Sequence, residues 1–247
     1  MLIERLDHIA LSVPDASVAA SEYAAVLDRP SEGARVQTEN IGLVLETAAA
    51  VSSPAFRLVF ATRDLDAARH RLQRRALPGS LAVNSSSRFD IDPAATHGVP
   101  ISLVQAGEAT RAATSDRDIA GLDHVVIHTA DPERAVALYG GRLGLDLRLD
   151  RTHATLGVRQ IFFVCGDLVV EIVHSAKAEG AGRPDGIWGL AWRAHDIDRA
   201  RQRMLTQGIA ATEIKDGRRP GTRVFTLKSH VSGVPSLVIG GEGLKRG

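Results

Sequence analysis

Internal repetition constrains this chain more than any other feature of its sequence. Leu6-Asp7-His8-Ile9 returns as Leu122-Asp123-His124-Val125, and the same offset of 116 residues carries Asp15 onto Asp131, Ala19 onto Ala135, Tyr23 onto Tyr139 and Leu27 onto Leu143. Seven identities at one offset, spread over a β-rich run and the helix-like segment after it, mark a duplicated unit rather than a chance match. Farther along, Asp64-Leu65-Asp66 maps onto Asp196-Ile197-Asp198 at an offset of 132, and Ala68, Arg69 and Arg71 fall on Ala200, Arg201 and Arg203. Gly98-Val99-Pro100 meets Gly233-Val234-Pro235 at an offset of 135. The growing offset places the insertions of the second half mainly between Glu171 and Trp188. The polar stretch from Gly107 to Asp116 reads as the linker between the halves.

Each half divides again. His8–Val13 is a β-rich run, Pro14-Asp15 supplies a turn and a helix N-cap, and the periodicity predicts a helix to Leu27. Weaker strand signals follow, ending in Ile41–Glu46. Phe56–Phe60 restarts the cycle, with Asp64 capping a second helix to about Leu77, and strands are expected near 81–83, 87–91 and 101–105. The second half predicts strand 122–129, helix 132–143 and strands near 145–149, 159–165 and 168–174. Strand 188–193, helix 197–207 capped by Gly208, and strands near 210–214, 222–228 and 236–239 complete it. The chain is therefore read as α+β, four tandem βαβββ units.

Composition removes several classes of function. Lys plus Arg number 30 against 29 for Asp plus Glu, a net charge of +1, so no general field steers the chain onto nucleic acid or an anionic membrane. Ten aromatic residues in 247 (six Phe, two Trp, two Tyr) do not build a base-stacking platform. One cysteine allows no intrachain disulfide and no Cys-based zinc or iron–sulfur site, and Cys165 reads as a buried, inert thiol. The opening MLIERLDHIALSV puts charges where a signal peptide needs an apolar core, and no apolar run spans a bilayer. A cytoplasmic protein acting on a small molecule, without nucleic acid or membrane, is the expectation. No Ser-His-Asp pattern resembles a nucleophile elbow, and Gly240-Gly241-Glu242-Gly243 leads into no helix that would cradle a phosphate. The basic runs 69–75 and 199–203 read as solvated helix faces.

The order of elements, with Leu-Asp-His at 6–8 and 122–124 opening a strand that runs into an Asp-capped helix, resembles the vicinal oxygen chelate superfamily of glyoxalases, bleomycin-resistance proteins and extradiol dioxygenases. The helix from Asp131 to Tyr139 ending in Gly140–Gly144, the strand Leu168–Val173 and the two Gly-Val-Pro turns are similar to that family's elements. The resemblance implies two half-barrel, glyoxalase-like domains, residues 1–107 and 119–241, joined by a linker at 108–118. It also implies a divalent metal (Fe, Mn, Ni or Zn) held by inward-facing imidazole and carboxylate groups, which would leave open sites for substrate oxygens. The family often forms homodimers, while four units in one chain can already be self-sufficient.

Carried over residue by residue, the resemblance makes His8 and Glu46 of the first unit and His124 and Glu171 of the third the metal-ligand candidates. The matching positions of the other units hold Arg57 (or Phe56) and Ser102, and Gly189 and Leu237, none of which completes a ligand set. His128 shares a strand face with His124 but stands about 13 Å away, too far for both to bind one ion. His174 falls on the opposite face from Glu171 unless a bulge intervenes, His153 is placed in a loop, and His70 and His195 read as surface or cap residues. His97 and His230, near the Gly-Val-Pro turns, are rim positions from which a general base can act. Glu171 stands in an apolar run, where a carboxylate is costly without a cation or donors. Arg57 is either a substrate-anion clamp or half of a structural ion pair. Trp188 and Trp192 either line a substrate pocket or fill the core. Two functions follow: a metal-dependent lyase or isomerase, favoured over a ring-cleaving dioxygenase, or a metal-free small-molecule binder of the bleomycin-resistance type.

Overall fold

The computed structural model describes residues 2–48, 55–83, 85–107, 116–176, 183–229 and 231–244. The first repeat forms β1 (Arg5–Val13), α1 (Ala16–Leu27), β2 (Ser31–Glu32), β3 (Arg35–Gln37) and β4 (Gly42–Thr47). The second forms β5 (Ala55–Thr62), α2 (Leu65–Arg74), β6 (Gly79–Leu81), β7 (Arg88–Ile91) and β8 (Ile101–Gln105). The third forms β9 (Ile119–His128), α3 (Pro132–Val136), β10 (Asp146–His153), β11 (Val158–Cys165) and β12 (Leu168–Ser175). The fourth forms β13 (Gly186–Ala194), α4 (Ile197–Thr206), β14 (Lys215–Asp216), β15 (Arg223–Thr226) and β16 (Ser236–Gly240). Among the described residues no helix is long and apolar enough to cross a membrane.

Every helix starts at the repeat's aspartate. Asp15 accepts from the Ser17 and Val18 amides, and Asp64, Asp131 and Asp196 accept from Ala67, Arg134 and Arg199, which satisfies amide groups that a helix start leaves unpaired. The third helix departs from the regular one expected over 132–143. After Val136 it widens into a π-helix, Ala137–Arg142, in which the Leu143 amide reaches back five residues to Leu138. Gly140 lies at this widening, where a Cβ would sit 3.2 Å from the Phe163 ring. Glycine thus lets the helix lie close on β11 without displacing that ring. One strand and one helix also shorten: 210–214 is reduced to a bridge between Ala211 and Leu227, and α2 ends at Arg74 rather than Leu77. Most of the expected linker, residues 108–115, lies outside the described residues.

The strands build two eight-stranded sheets, ordered β2-β3-β4-β1-β5-β8-β7-β6 and β10-β11-β12-β9-β13-β16-β15-β14. Each combines two tandem repeats, as two glyoxalase-like half-barrels require, and each is mixed. The β5–β8 and β13–β16 pairs are parallel, whereas the hairpins are antiparallel. Contacts group the chain differently, into two compact units.

One unit comprises Met1–Ile9, Phe56–Ala109 and Val125–Trp188, chiefly the second and third repeats. Its core includes Phe60, Leu72, Ile101, Leu138, Tyr139 and Phe163, all essentially inaccessible. The two repeats meet where the Asp185 amide donates to the His97 carbonyl (2.8 Å) and Arg75 donates to the Arg142 carbonyl (2.9 Å).

The other unit comprises Ala10–Ala55, Thr110–His124 and Gly189–Gly247, chiefly the first and fourth repeats. Tyr23 of α1 meets Trp192 of β13 edge-on, ring centroids 6.2 Å apart, and both are fully buried. Arg203 of α4 donates to the buried Asp118 carboxylate (2.7 and 3.0 Å) and to the Val26 carbonyl (2.9 Å). The expectation of a solvated basic face therefore fails at Arg203, whose stem and head are drawn into this joint. Trp192 belongs to the core rather than to an open pocket.

Candidate functional site

The third repeat presents an open sheet face whose residues are dictated by two hairpins. Gly166-Asp167 makes a two-residue turn with Gly166 at φ 65°, which sets Cys165 opposite Leu168 and so Phe162 opposite Glu171 and Gln160 opposite Val173. The turn between His153 and Val158 sets Arg151 opposite Gln160, and a bulge at Arg148 brings Leu149 opposite Phe162. Phe163 and Ile161 are buried, with Phe163 against Tyr139 of the third helix (5.9 Å). By strand alternation, Leu149, Arg151, Gln160, Phe162 and Glu171 share the opposite, open face.

A continuous polar chain crosses that face. Glu171 is 6% exposed, and its Oε1 accepts from Gln160 Nε2 at 2.5 Å. The carbonyl oxygen of Gln160 accepts from Arg151 Nη2 (3.2 Å) and pairs with His153 Nε2 (3.1 Å). The amide thus holds its orientation from both ends. At the end of β9, His128 lies in the field of the Glu171 carboxylate and stacks on Trp188, centroids 5.3 Å apart. Burial holds the His128 imidazole below its ordinary pKa, with the Glu171 charge opposing that shift. Arg151, Gln160, Glu171, His128 and Trp188 come one each from five neighbouring strands, β10-β11-β12-β9-β13. Around them stand apolar side chains open to solvent: Leu149 at 44% and Trp188 at 52%.

The other residues singled out in the sequence are distributed as follows. His8 Nδ1 and His124 Nδ1 each meet the preceding aspartate, Asp7 or Asp123, at 2.9 Å, so the two repeats hold their imidazoles in the same manner. Glu46 is exposed. Arg57 forms the ion pair with Asp90 (3.4 Å) and donates to Ser102 (3.0 Å), which donates to the same carboxylate oxygen (2.6 Å). Arg88 joins this carboxylate at 3.0 Å. His97, at φ 59°, pairs with Arg142 (3.1 Å), and burial, aided by the charges of Arg134 and Arg142, lowers its pKa. His230 lies outside the described residues. His174 is tied to the Thr129 carbonyl (3.2 Å) on a strand that shows no register shift against β11, so it stays on the face opposite Glu171. His153 belongs to β10, not to a loop. Cys165 is buried, and burial pushes its thiol up to about 12.

The donor set does not fit a complete divalent-metal site. Among the described residues no three His, Cys, Asp or Glu side chains gather as an ion would need. At Gly189 a Cβ would stand 2.8 Å from the Pro235 carbonyl oxygen, so no ligand side chain fits at the fourth unit's first-strand position. In the second unit, Arg57 and Ser102 fill the matching positions with a guanidinium already paired to Asp90.

Arg151, Gln160 and the role of His153 were missed in the sequence. The signal for them was the β10–β11 register, which depends on the length of the turn after His153.

Comparison with known proteins agrees with this architecture. Residues 123–226 match the model of the Glyoxalase/Bleomycin resistance protein/Dioxygenase superfamily. A variant of 4-hydroxymandelate synthase from Streptomyces coelicolor is similar in structure over 100% of this chain and 95% of its own, at 14% identity and a TM-score of 0.73. BphC, a halotolerant catechol dioxygenase, is similar over 97% of this chain and 87% of its own, at 12% identity and a TM-score of 0.68. Methylmalonyl-CoA epimerase from Mycobacterium tuberculosis covers 52% of this chain and 92% of its own, at 22% identity and a TM-score of 0.45. No curated protein sequence matches the chain. At these identities the two whole-chain likenesses establish a common fold.

Proposed function

We propose that the chain, whose residues 123–226 match the model of the Glyoxalase/Bleomycin resistance protein/Dioxygenase superfamily, is a member of that superfamily and binds a small oxygen-bearing organic molecule on the open face of β9–β13 without a metal ion. The observation that carries this reading is Glu171, a buried carboxylate held by the Gln160 amide at the centre of the polar chain on that face. A buried carboxylate oriented by a neutral amide is a directional acceptor for a ligand hydroxyl or N–H. The half-exposed Trp188 ring suits contact with a flat or apolar ligand body. The crowding of Gly189 by Pro235 and the Arg57–Asp90 pair favour the metal-free form.

A second reading, a divalent-metal lyase or isomerase, draws on one observation. Asp123 Oδ2 stands 2.9 Å from His124 Nδ1, the kind of carboxylate partner that orients metal-bound imidazoles. Elemental analysis of tag-free protein, purified without chelator and then reloaded with Fe, Mn, Ni or Zn, separates the two. The metal-free reading expects substoichiometric metal throughout. Near-stoichiometric metal that disappears in both His124→Ala and Glu171→Ala would overturn it in favour of the second.

A further inference from the structure

The two faces of the β10–β11 hairpin treat their arginines differently. On the helix side, Arg159 meets Asp150 through two hydrogen bonds (2.9 and 2.7 Å) and also Glu133 of the third helix. On the open face, Arg151 has no carboxylate within ion-pair distance among the described residues. Its Nη2 donates to the neutral Gln160 amide (3.2 Å), its guanidinium carbon lies 5.7 Å from the Phe162 ring centroid, and its Nε is buried without a partner. Both contacts orient the group, the ring face attracts its charge weakly, and neither supplies an anionic counter-charge. A half-buried guanidinium in such a place is complementary to an anion that arrives from outside. Two strand spacings, about 10 Å, separate β10 from β12, so that anion stands well clear of Glu171 while one small molecule reaches both.

We propose that Arg151 receives the carboxylate of an apolar organic acid whose body lies along Phe162 toward Glu171 and Trp188. The proposal rests on the binding reading above and adds the chemical class of the ligand.

The test measures dissociation constants by NMR titration for matched acids and primary amides: phenylacetate and phenylacetamide, 3-phenylpropanoate and 3-phenylpropanamide, hexanoate and hexanamide. Wild type, Arg151→Met, Arg151→Lys and Trp188→Ala are compared. Wild type is expected to bind at least one acid tenfold or more tighter than its amide. Arg151→Met should erase that preference while leaving amide affinity within twofold, and Arg151→Lys should keep part of it. Equal affinity for acid and amide in wild type, or a preference that survives Arg151→Met, overturns the anion clamp. If both forms still weaken together in Trp188→Ala, the binding face stands without the clamp. Binding of no member, or binding indifferent to Trp188→Ala, overturns both readings. Melting temperatures of the variants, expected within a few degrees of wild type, separate loss of binding from loss of fold.

Discussion

At the scale of single residues, the chemistry of the open face turns on Glu171 and the imidazole beside it. His128 loses more from desolvation than it gains from the Glu171 charge, so its pKa is lowered in the folded chain. Between that value and the ordinary ~6.5, the unfolded chain binds more protons than the folded one. Stability from this group therefore rises with pH through that window and is lost as pH falls through it. An NMR titration should show His128 below ~6.5 and lower still in Glu171→Gln, where the opposing charge is gone. A His128 pKa that rises in Glu171→Gln would contradict this electrostatic account. His128→Phe, which keeps a ring against Trp188, should flatten the pH dependence of the melting temperature between pH 5 and 7 (roughly the range below the free imidazole pKa). Glu171 was legible in the sequence as a carboxylate inside an apolar run. Gln160 and Arg151 were not, because a polar residue in a strand declares no partner until its register is known.

At the scale of elements, the repeats specify the helix starts and the glycines specify close approaches. Asp131→Ala should cost about 1 kcal/mol of stability, since the Arg134 amide then loses its acceptor at the start of a short helix. Chemical denaturation measures that directly, and an unchanged midpoint would show that the cap contributes nothing. Gly189→Ala should cost about 1–3 kcal/mol, because the new methyl meets backbone oxygen rather than a side chain that can turn away. The same crowding predicts that Gly189→His creates no metal site and instead lowers the melting temperature further. Helix periodicity over 132–143 could not foresee the π-helix. Gly140, at that widening, stands close to the Phe163 ring, a tertiary contact with no signature in local hydropathy.

At the scale of the whole molecule, repetition leads to two sheets, while the compact units pair the second repeat with the third and the first with the fourth. In the unit built from the first and fourth repeats, Asp118 is held by Arg203 with its side chain fully covered. Arg203→Met leaves that carboxylate without its cation and should cost about 3 kcal/mol. A thermal shift of less than ~2 °C would show that the pair is dispensable. Residues 1–107 expressed alone should self-associate or lack fixed tertiary packing, because Tyr23 then loses Trp192. Light scattering and near-UV circular dichroism read this out, and a well-packed monomer would disprove it. The sequence by itself determined the four βαβββ units, their Asp caps, the two-half organisation of the sheets and the carboxylate at Glu171, because these follow from periodicity, turn chemistry and duplication along the chain. Only the tertiary structure decided that Arg57 is paired with Asp90, that Trp192 is core while Trp188 is open, that Gly189 has no room for a side chain, and that Arg151, Gln160 and His128 join Glu171. Each of these depends on which distant strand supplies the neighbour, and a local pattern cannot express that.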